Sequence, residues 1–345
     1  MSNVTLGRTH ITVDKNGFGT LPVQRVTKEE AAVILRRAYE GGITFFDTAR
    51  AYSDSEEKIG LALSGVRNHI YLATKTMAST PEGFWKDLET SLSLLKTDCI
   101  DIYQFHNPPF CPRPGDESGL YDAALKAREQ GKIRFIGITN HRLSVAQEAI
   151  QSGLYDTLQF PFCYLADEKD IALVEACREQ DMGFIAMKSL SGGLITNAAA
   201  AYAYADQFDN VLPIWGIQRL SELEEFLSFI QDPPSMTGEI KALIDRDRKL
   251  LSGTFCRGCG YCMPCPAGIE INNCARMSLL LRRSPTASHL SPAGQEKMMK
   301  IKDCLHCGQC ASKCPYGLDT PALLERNLKD YEEILAGKEM TPDNF

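Results

Sequence analysis

Short apolar runs alternate with amphipathic stretches over most of this chain. The runs at residues 43–46, 70–74, 100–105, 133–138, 157–160, 183–187 and 211–215 are short and nearly continuous. Each therefore predicts a strand buried on both faces, as in a parallel sheet. Between them, apolar residues recur at helical spacing. Thr27 and Glu30 form a capping-box pattern ahead of Ala31, Ile34, Leu35 and Ala38, and Gly41-Gly42 closes that helix. Further helices are expected over 55–63, 81–95, 121–130, 143–151, 171–179, 197–207 and 221–229. Residues 4–13 alternate loosely about Gly7 and read as a hairpin, and residues 16–20 read as a turn leading into a first short strand.

Eight strand–helix units in succession predict an α/β chain whose first domain is a (β/α)8 TIM barrel. In such a barrel every strand ends at one mouth, and the chemistry sits there. The polar residues at the predicted strand ends are Asp47, Lys75, His106, Asn140, Gln159 and Lys188, with Tyr52 in the loop after the second strand. Each has an ordinary reading alone. Asp47 suits a turn or helix cap, His106 before Pro108-Pro109 suits a satisfied core histidine, and Lys75 could snorkel from a strand end. Their shared placement at carboxyl ends is what points to a site.

Composition narrows the class. The chain has 345 residues and a formal net charge of −7, with no basic stripe or Arg-rich arm, so nucleic acid is not an expected partner. No stretch reaches the apolar length of a membrane span, and residues 1–13 lack a signal-peptide run. Thirteen cysteines are present, nine of them between Cys256 and Cys314. Dense Cys-x-x-Cys spacing without a signal peptide suggests metal in a reducing compartment, hence a soluble cytoplasmic protein. The change in composition places a boundary within 232–253. It leaves a barrel over residues 1–235 and a small helical domain with linker and tail over residues 236–345.

The barrel residues closely resemble the aldo/keto reductase family, from about residue 4 to about 230. The resemblance rests on Asp47-Thr48-Ala49 with Tyr52, Ser55-Glu56 with Gly60, and Ala73-Thr74-Lys75. Asp101-Ile102-Tyr103 with His106, and Gly131-Lys132-Ile133-Arg134 with Ile136-Gly137 and Asn140, extend it. It implies that Asp47, Tyr52, Lys75 and His106 are a catalytic tetrad acting with NADP(H) or NAD(H). The chemistry agrees. A carbonyl that receives hydride develops alkoxide charge and needs a proton donor. Tyr52 would be that donor. An ordinary phenol is a weak acid, and Lys75, held by Asp47, would supply the cation that strengthens it. His106 would orient the carbonyl oxygen.

The resemblance also implies cofactor contacts. Asn140 and Gln159 match positions that hold the nicotinamide carboxamide, and Thr139 stands where Ser is common. Met187 replaces a usual aromatic at the end of strand seven, followed by Lys188. The Gly192-Gly193 turn suits a phosphate approach, which places Gly193 among the binding residues. Near strand eight the chain reads Gly216-Ile217-Gln218-Arg219, with Glu222 where a later Arg is usual. Arg219 is either the 2′-phosphate ligand of NADP or a solvated residue at a helix start.

The cysteines form two runs, Cys256, Cys259, Cys262 and Cys265, then Cys304, Cys307, Cys310 and Cys314, each followed by proline. The second run matches the bacterial ferredoxin spacing, and the first is one residue short in its last gap. Zinc is the competing reading, since CxxC pairs also build zinc ribbons, but four cysteines per run exceed what zinc needs. The ferredoxin resemblance, over about residues 250–320, implies two 4Fe-4S clusters with exchanged fourth ligands. The implied sets are Cys256, Cys259, Cys262 with Cys314, and Cys304, Cys307, Cys310 with Cys265. Cys274 is left as a packed thiol. As a whole the chain resembles the subgroup of aldo/keto reductases with a C-terminal ferredoxin-like domain.

The leading expectation is an oxidoreductase moving hydride between a nicotinamide cofactor and a small carbonyl or alcohol substrate. An alternative is an electron-transfer protein serving a ferredoxin-like carrier. In a third reading the clusters are structural. Lys188 hints at an anionic group on the substrate.

Overall fold

The computed structural model describes residues 2–251, 255–283 and 286–340. Two compact units emerge, one of Met1–Ser189 with Ala198–Met236, the other of Leu190–Asn197 with Thr237–Phe345.

The first unit opens with an antiparallel hairpin, β1 (Asn3–Thr5) and β2 (Thr12–Asp14). Eight parallel strands follow: β3 (Gly17–Gly19), β4 (Phe45–Asp47), β5 (Tyr71–Thr76), β6 (Ile100–His106), β7 (Ile133–Thr139), β8 (Thr157–Pro161), β9 (Gly183–Met187) and β10 (Val211–Gly216). They close into a barrel in sequence order, with β10 pairing back onto β3. The helices after successive strands are α1 (Lys28–Glu40), α2 (Ser55–Leu63), α3 (Pro81–Leu95), α4 (Leu120–Glu129), α5 (Leu143–Ser152), α6 (Glu168–Glu179), α7 (Ala198–Ala205) and α8 (Leu220–Gln231). This is the (β/α)8 arrangement expected from the alternation of apolar runs.

Local chemistry sets the boundaries. Thr27 and Glu30 form the expected capping box at the start of α1. Helix α6 starts three residues earlier than its apolar spacing indicates, because Asp167 caps Lys169 N and Asp170 N. The stretch read as a turn, residues 16–20, contains the first barrel strand itself. A Cβ on Gly17 would lie 2.8 Å from Pro213 O and 2.9 Å from Ile214 Cγ2, so glycine here permits close strand packing rather than a turn.

Side chains fill the barrel in layers. At its amino-terminal end Val4, Leu6, Ile11 and Val13 of the hairpin region pack against Phe45, Ala73, Ile102, Ile185, Leu212 and Ile214. One step toward the carboxyl ends, the interior turns polar, with Asp47, Lys75, Gln104 and Gln159 all buried. Buried polar groups of this kind must find partners inside the protein.

The second unit is helical: α9 (Gly238–Leu250), α10 (Ile271–Cys274), α11 (Met277–Arg283), α12 (Ala287–Leu290), α13 (Pro292–Met299), α14 (Gln309–Ser312) and α15 (Thr320–Leu335). Arg282 of α11 forms a salt bridge with Asp330 of α15 at 2.6 Å, and Asn327 Oδ1 accepts from Ser278 N at 2.8 Å. The segment Leu190–Asn197, which follows β9, belongs to this unit. Arg276 donates to Gly192 O at 3.0 Å and Arg283 to Leu194 O at 2.6 Å. The tail expected as part of this domain is helical over α15, and its last residues, 341–345, lie outside the described residues. Among the described residues no helix is long and apolar enough to cross a membrane.

Candidate functional site

Asp47 is the last residue of β4 and Lys75 the penultimate residue of β5. Lys75 Nζ donates to Asp47 Oδ1 at 2.8 Å, to Oδ2 at 2.7 Å and to Thr48 O at 2.6 Å. Burial pushes the Asp47 carboxyl up and the Lys75 ammonium down, and the attraction between them opposes both shifts. Three acceptors around Nζ match the three protons of an ammonium, which holds the pair ionised against its burial.

Tyr52 stands in the loop after β4. Lys75 Nζ lies 5.3 Å from the centroid of its ring, and the ring meets His106 edge-on with centroids 5.9 Å apart. That loop is fastened by hydroxyls. Thr48 donates to Ser55 at 3.0 Å, Ser55 to Thr20 at 2.8 Å, and Thr20 to Asp47 O at 2.8 Å. Behind it, Arg50 pairs with buried Glu56, whose Oε1 also accepts from Thr74 at 2.6 Å and Ser91 at 2.7 Å. His106 ends β6. Burial first, and the charge of Lys75 second, push its imidazole down to about 3. At neutral pH His106 is therefore an uncharged ring with one N–H to donate.

Around the mouth, Thr139 ends β7 and its hydroxyl lies 3.9 Å from Met187 Sδ. Asn140 is buried, with Oδ1 accepting from His141 N at 2.9 Å and Arg142 N at 2.8 Å, while Nδ2 donates to Pro108 O at 2.9 Å. Gln159 turns inward to Gln104 and Asp47. Lys188 follows Met187 with φ at +56°, a conformation that non-glycine residues adopt rarely. Gly216 ends β10 and is exposed. Arg219 precedes α8, and its guanidinium meets Glu222 at 2.6 Å on the surface. Gly193, in the other unit, has φ at +91° and open space where a Cβ would stand.

Two residues here escaped the reading from sequence. Gln104 shares the inward register of Ile102 and His106 on β6, and that period of two was the available signal. His141 is buried beside Asn140, where burial first and then the charge of Lys188 hold its imidazole well below the usual range. Only its closeness to Asn140 marks it in the sequence.

The cysteines of the second unit are free thiols grouped in space. A recess is lined by five cysteines, Cys262, Cys265, Cys304, Cys307 and Cys310. Burial pushes the Cys256 thiol up and the Cys262 thiol up to about 12. Among the described residues no three Cys, His, Asp or Glu side chains converge to hold a single metal ion. Thiols spread around a recess suit a multi-atom cluster, whose ligands stand farther apart than those of one ion. Cys274 stands apart. It is buried, lies 3.6 Å from Lys297 O, and burial pushes its thiol up to about 12.

Residues 15–226, more than half of the chain, match the aldo/keto reductase family. The chain belongs to that family. Residues 255–319 match the 4Fe-4S dicluster domain, which adds a ferredoxin-like region to the reductase barrel. An aldo-keto reductase of Strobilurus tenacellus is 31% identical to this chain over 219 residues, 57% of this chain and 63% of its own. L-galactose dehydrogenase of Arabidopsis thaliana is 29% identical over 212 residues, 55% of this chain and 66% of its own. The chain thus spans just under two thirds of the length of these relatives. In fold, it resembles the holo form of an aldo-keto reductase from Bacillus halodurans, with a TM-score of 0.63 at 20% identity over 72% of this chain and 96% of that one. It likewise resembles an aldo-keto reductase from Klebsiella pneumoniae in complex with NADPH, with a TM-score of 0.60 at 22% identity over 71% and 94%.

Proposed function

We propose that this reductase transfers hydride between a nicotinamide cofactor and a small carbonyl or alcohol substrate at the mouth of its barrel. The observation that carries the reading is the convergence of Asp47, Lys75, Tyr52 and His106 at four carboxyl-end positions. The bound nicotinamide supplies the hydride, which no side chain can. Tyr52 delivers its proton to the carbonyl oxygen as the carbon gains hydride, and the product is the alcohol. Lys75 stabilises the phenolate left behind, and Asp47 keeps Lys75 charged and in place. Neutral His106 donates its N–H to the same oxygen and so orients the carbonyl. Thr139, Asn140, Gln159, Met187 and Lys188 would hold the nicotinamide. Gly216 and Arg219 would serve its phosphates and adenosine.

The eight cysteines hold two 4Fe-4S clusters, Cys256, Cys259, Cys262 with Cys314 and Cys304, Cys307, Cys310 with Cys265. The recess brings Cys265 together with Cys304, Cys307 and Cys310, which supports the second set, and the ferredoxin-like spacing carries the first. Such clusters supply one-electron chemistry. Cys307 alone among the thirteen cysteines is exposed, which favours a second reading in which the clusters exchange electrons with a ferredoxin-like carrier. The cysteine density and the thiol chemistry fit a reducing, cytoplasmic setting.

Anaerobically purified protein, incubated with NADPH or NADH and a panel of aldehydes and ketones, tests the reading. Reduced nicotinamide should be consumed with stoichiometric alcohol, and Tyr52→Phe should lose this while still binding cofactor. Consumption unaffected by Tyr52→Phe would remove the site from the reaction.

A further inference from the structure

Asp47 is held from more sides than its salt bridge requires. Gln104 Nε2 lies 3.4 Å from Asp47 Oδ1 and Gln159 Nε2 lies 3.4 Å from Asp47 Oδ2. The two amides are locked to each other, Gln104 Nε2 donating to Gln159 Oε1 at 2.9 Å. All three side chains are buried. The contacts cross the barrel interior, from β4 to β6 and to β8, skipping the strands between.

The backbone makes room for this network. Gly137 of β7 pairs in register with Gln104, and a Cβ there would lie 2.8 Å from Gln104 Cγ and 2.5 Å from Thr157 Oγ1. The missing side chain of Gly137 is what lets Gln104 reach Gln159 across β7. Gln104 also pairs in register with Lys75 on its other side. One glutamine thus sits beside the cation, touches the carboxylate, and fixes the second amide.

We infer that Gln104 is a positioning residue for the reductase reaction: with Gln159 it fixes the Asp47 carboxylate against Lys75, and through them it sets the acid strength of Tyr52. Amide N–H groups directed at a carboxylate stabilise its ionised form. A firmly ionised Asp47 keeps Lys75 an ammonium, and the ammonium beneath Tyr52 stabilises its phenolate. The titratable groups facing this network are Lys75 from β5, His106 from β6 and Tyr52 from the loop after β4. The inference rests on the proposed roles of Tyr52, Lys75 and Asp47.

The test is the pH profile of carbonyl reduction in the full chain carrying Gln104→Met, which keeps length and removes the amide. Loss of the donor leaves Asp47 easier to protonate, Lys75 less cationic and the phenol a weaker acid. The plateau rate should fall about tenfold, the effect of one hydrogen bond to a charged group. The alkaline limb, where the phenol is lost, should at the same time move to higher pH by about one unit. Rates are read at saturating cofactor, because Gln104 also fixes Gln159, which is assigned to the nicotinamide. A lower plateau with an unmoved limb would mean that Gln104 only supports the structure and would overturn the inference, as would an unchanged profile. Ultraviolet titration of the Tyr52 phenol, taken as the difference between chains with and without Tyr52→Phe, reads the same shift without turnover. If Tyr52→Phe keeps the parental rate, the tetrad itself fails; if it is inactive and the limb in Gln104→Met is unmoved, only this inference fails. Gln104→Leu serves as the second replacement, and a chain that folds with neither would make Gln104 structural and overturn its assignment.

Discussion

Lys75 Nζ meets both carboxylate oxygens of Asp47, at 2.8 and 2.7 Å, with the two side chains only 1% and 2% exposed. A pair so buried is costly to break from one side. Lys75→Met leaves an uncompensated carboxylate and should destabilise the barrel by about 3 to 5 kcal/mol. The double variant Lys75→Met, Asp47→Asn removes both charges and should recover much of that loss. Urea unfolding of the three chains checks it, and a double variant no more stable than Lys75→Met would contradict the account.

His106 is held uncharged, its imidazole pushed down to about 3 by burial and by Lys75. In the unfolded chain it takes up a proton near pH 6.5. The folded pKa is depressed, so the stability His106 contributes is present above about pH 6.5 and is lost as pH falls from there toward 3. Carbonyl reduction should accordingly show no ionisation between pH 5 and 8 that His106→Gln removes. A limb near pH 6.5 that disappears in His106→Gln would show a charged histidine in the reaction.

Arg219 is held by Glu222 at 2.6 Å, and Glu222 also accepts from the backbone N–H groups of Gln218 and Arg219. A carboxylate there competes with a 2′-phosphate for the guanidinium. Glu222→Gln should therefore tighten NADPH relative to NADH by several fold, and Arg219→Ala should weaken NADPH more than NADH. Paired binding titrations measure both ratios. Equal changes for the two cofactors would separate this pair from cofactor choice.

The recess that joins Cys265 to Cys304, Cys307 and Cys310 makes a selective prediction. Cys265→Ser should damage the cluster held by Cys304, Cys307 and Cys310 and spare the one held by Cys256, Cys259, Cys262 and Cys314. The parental protein, prepared without oxygen, should contain about eight irons and eight sulfides per chain. Iron analysis and electron paramagnetic resonance of the reduced variant distinguish loss of one cluster from loss of both. Stoichiometric zinc in place of iron would exclude the cluster assignment.

Acid should act on the helical unit through Asp330. Burial alone would raise its carboxyl, but hydrogen bonds from Arg282, Lys338 and Ser278 outweigh this and hold it at about 2. Its folded pKa is depressed, so its contribution is present above about pH 4 and is lost as pH falls toward 2. Asp330→Asn should lower stability at pH 7 and flatten that acid loss. Circular dichroism melts across this range provide the measurement.

Much of this protein is decided by local sequence. Alternating short apolar runs and amphipathic stretches specify strand and helix by their period, and eight such units admit few closures other than a parallel barrel. Because a parallel barrel places every strand end at one mouth, Asp47, Lys75 and His106 could be assigned to one site before any distance was known. The cysteine runs were equally legible, since ligand spacing is itself local. What the tertiary structure decided depends on contacts between strands far apart in sequence. Gly17–Gly19 is a strand because β10 packs where a Cβ would stand, although Gly-Phe-Gly alone suggests a turn. Gln104 reaches Gln159 because Gly137 leaves a passage across β7, and Arg219 is committed to Glu222 by the first turn of α8. Leu190–Asn197 leaves the barrel unit because Arg276 and Arg283 bind its carbonyls. No period or motif encodes these pairings, because each depends on which side chains a closed barrel and a folded helical unit bring within hydrogen-bond reach.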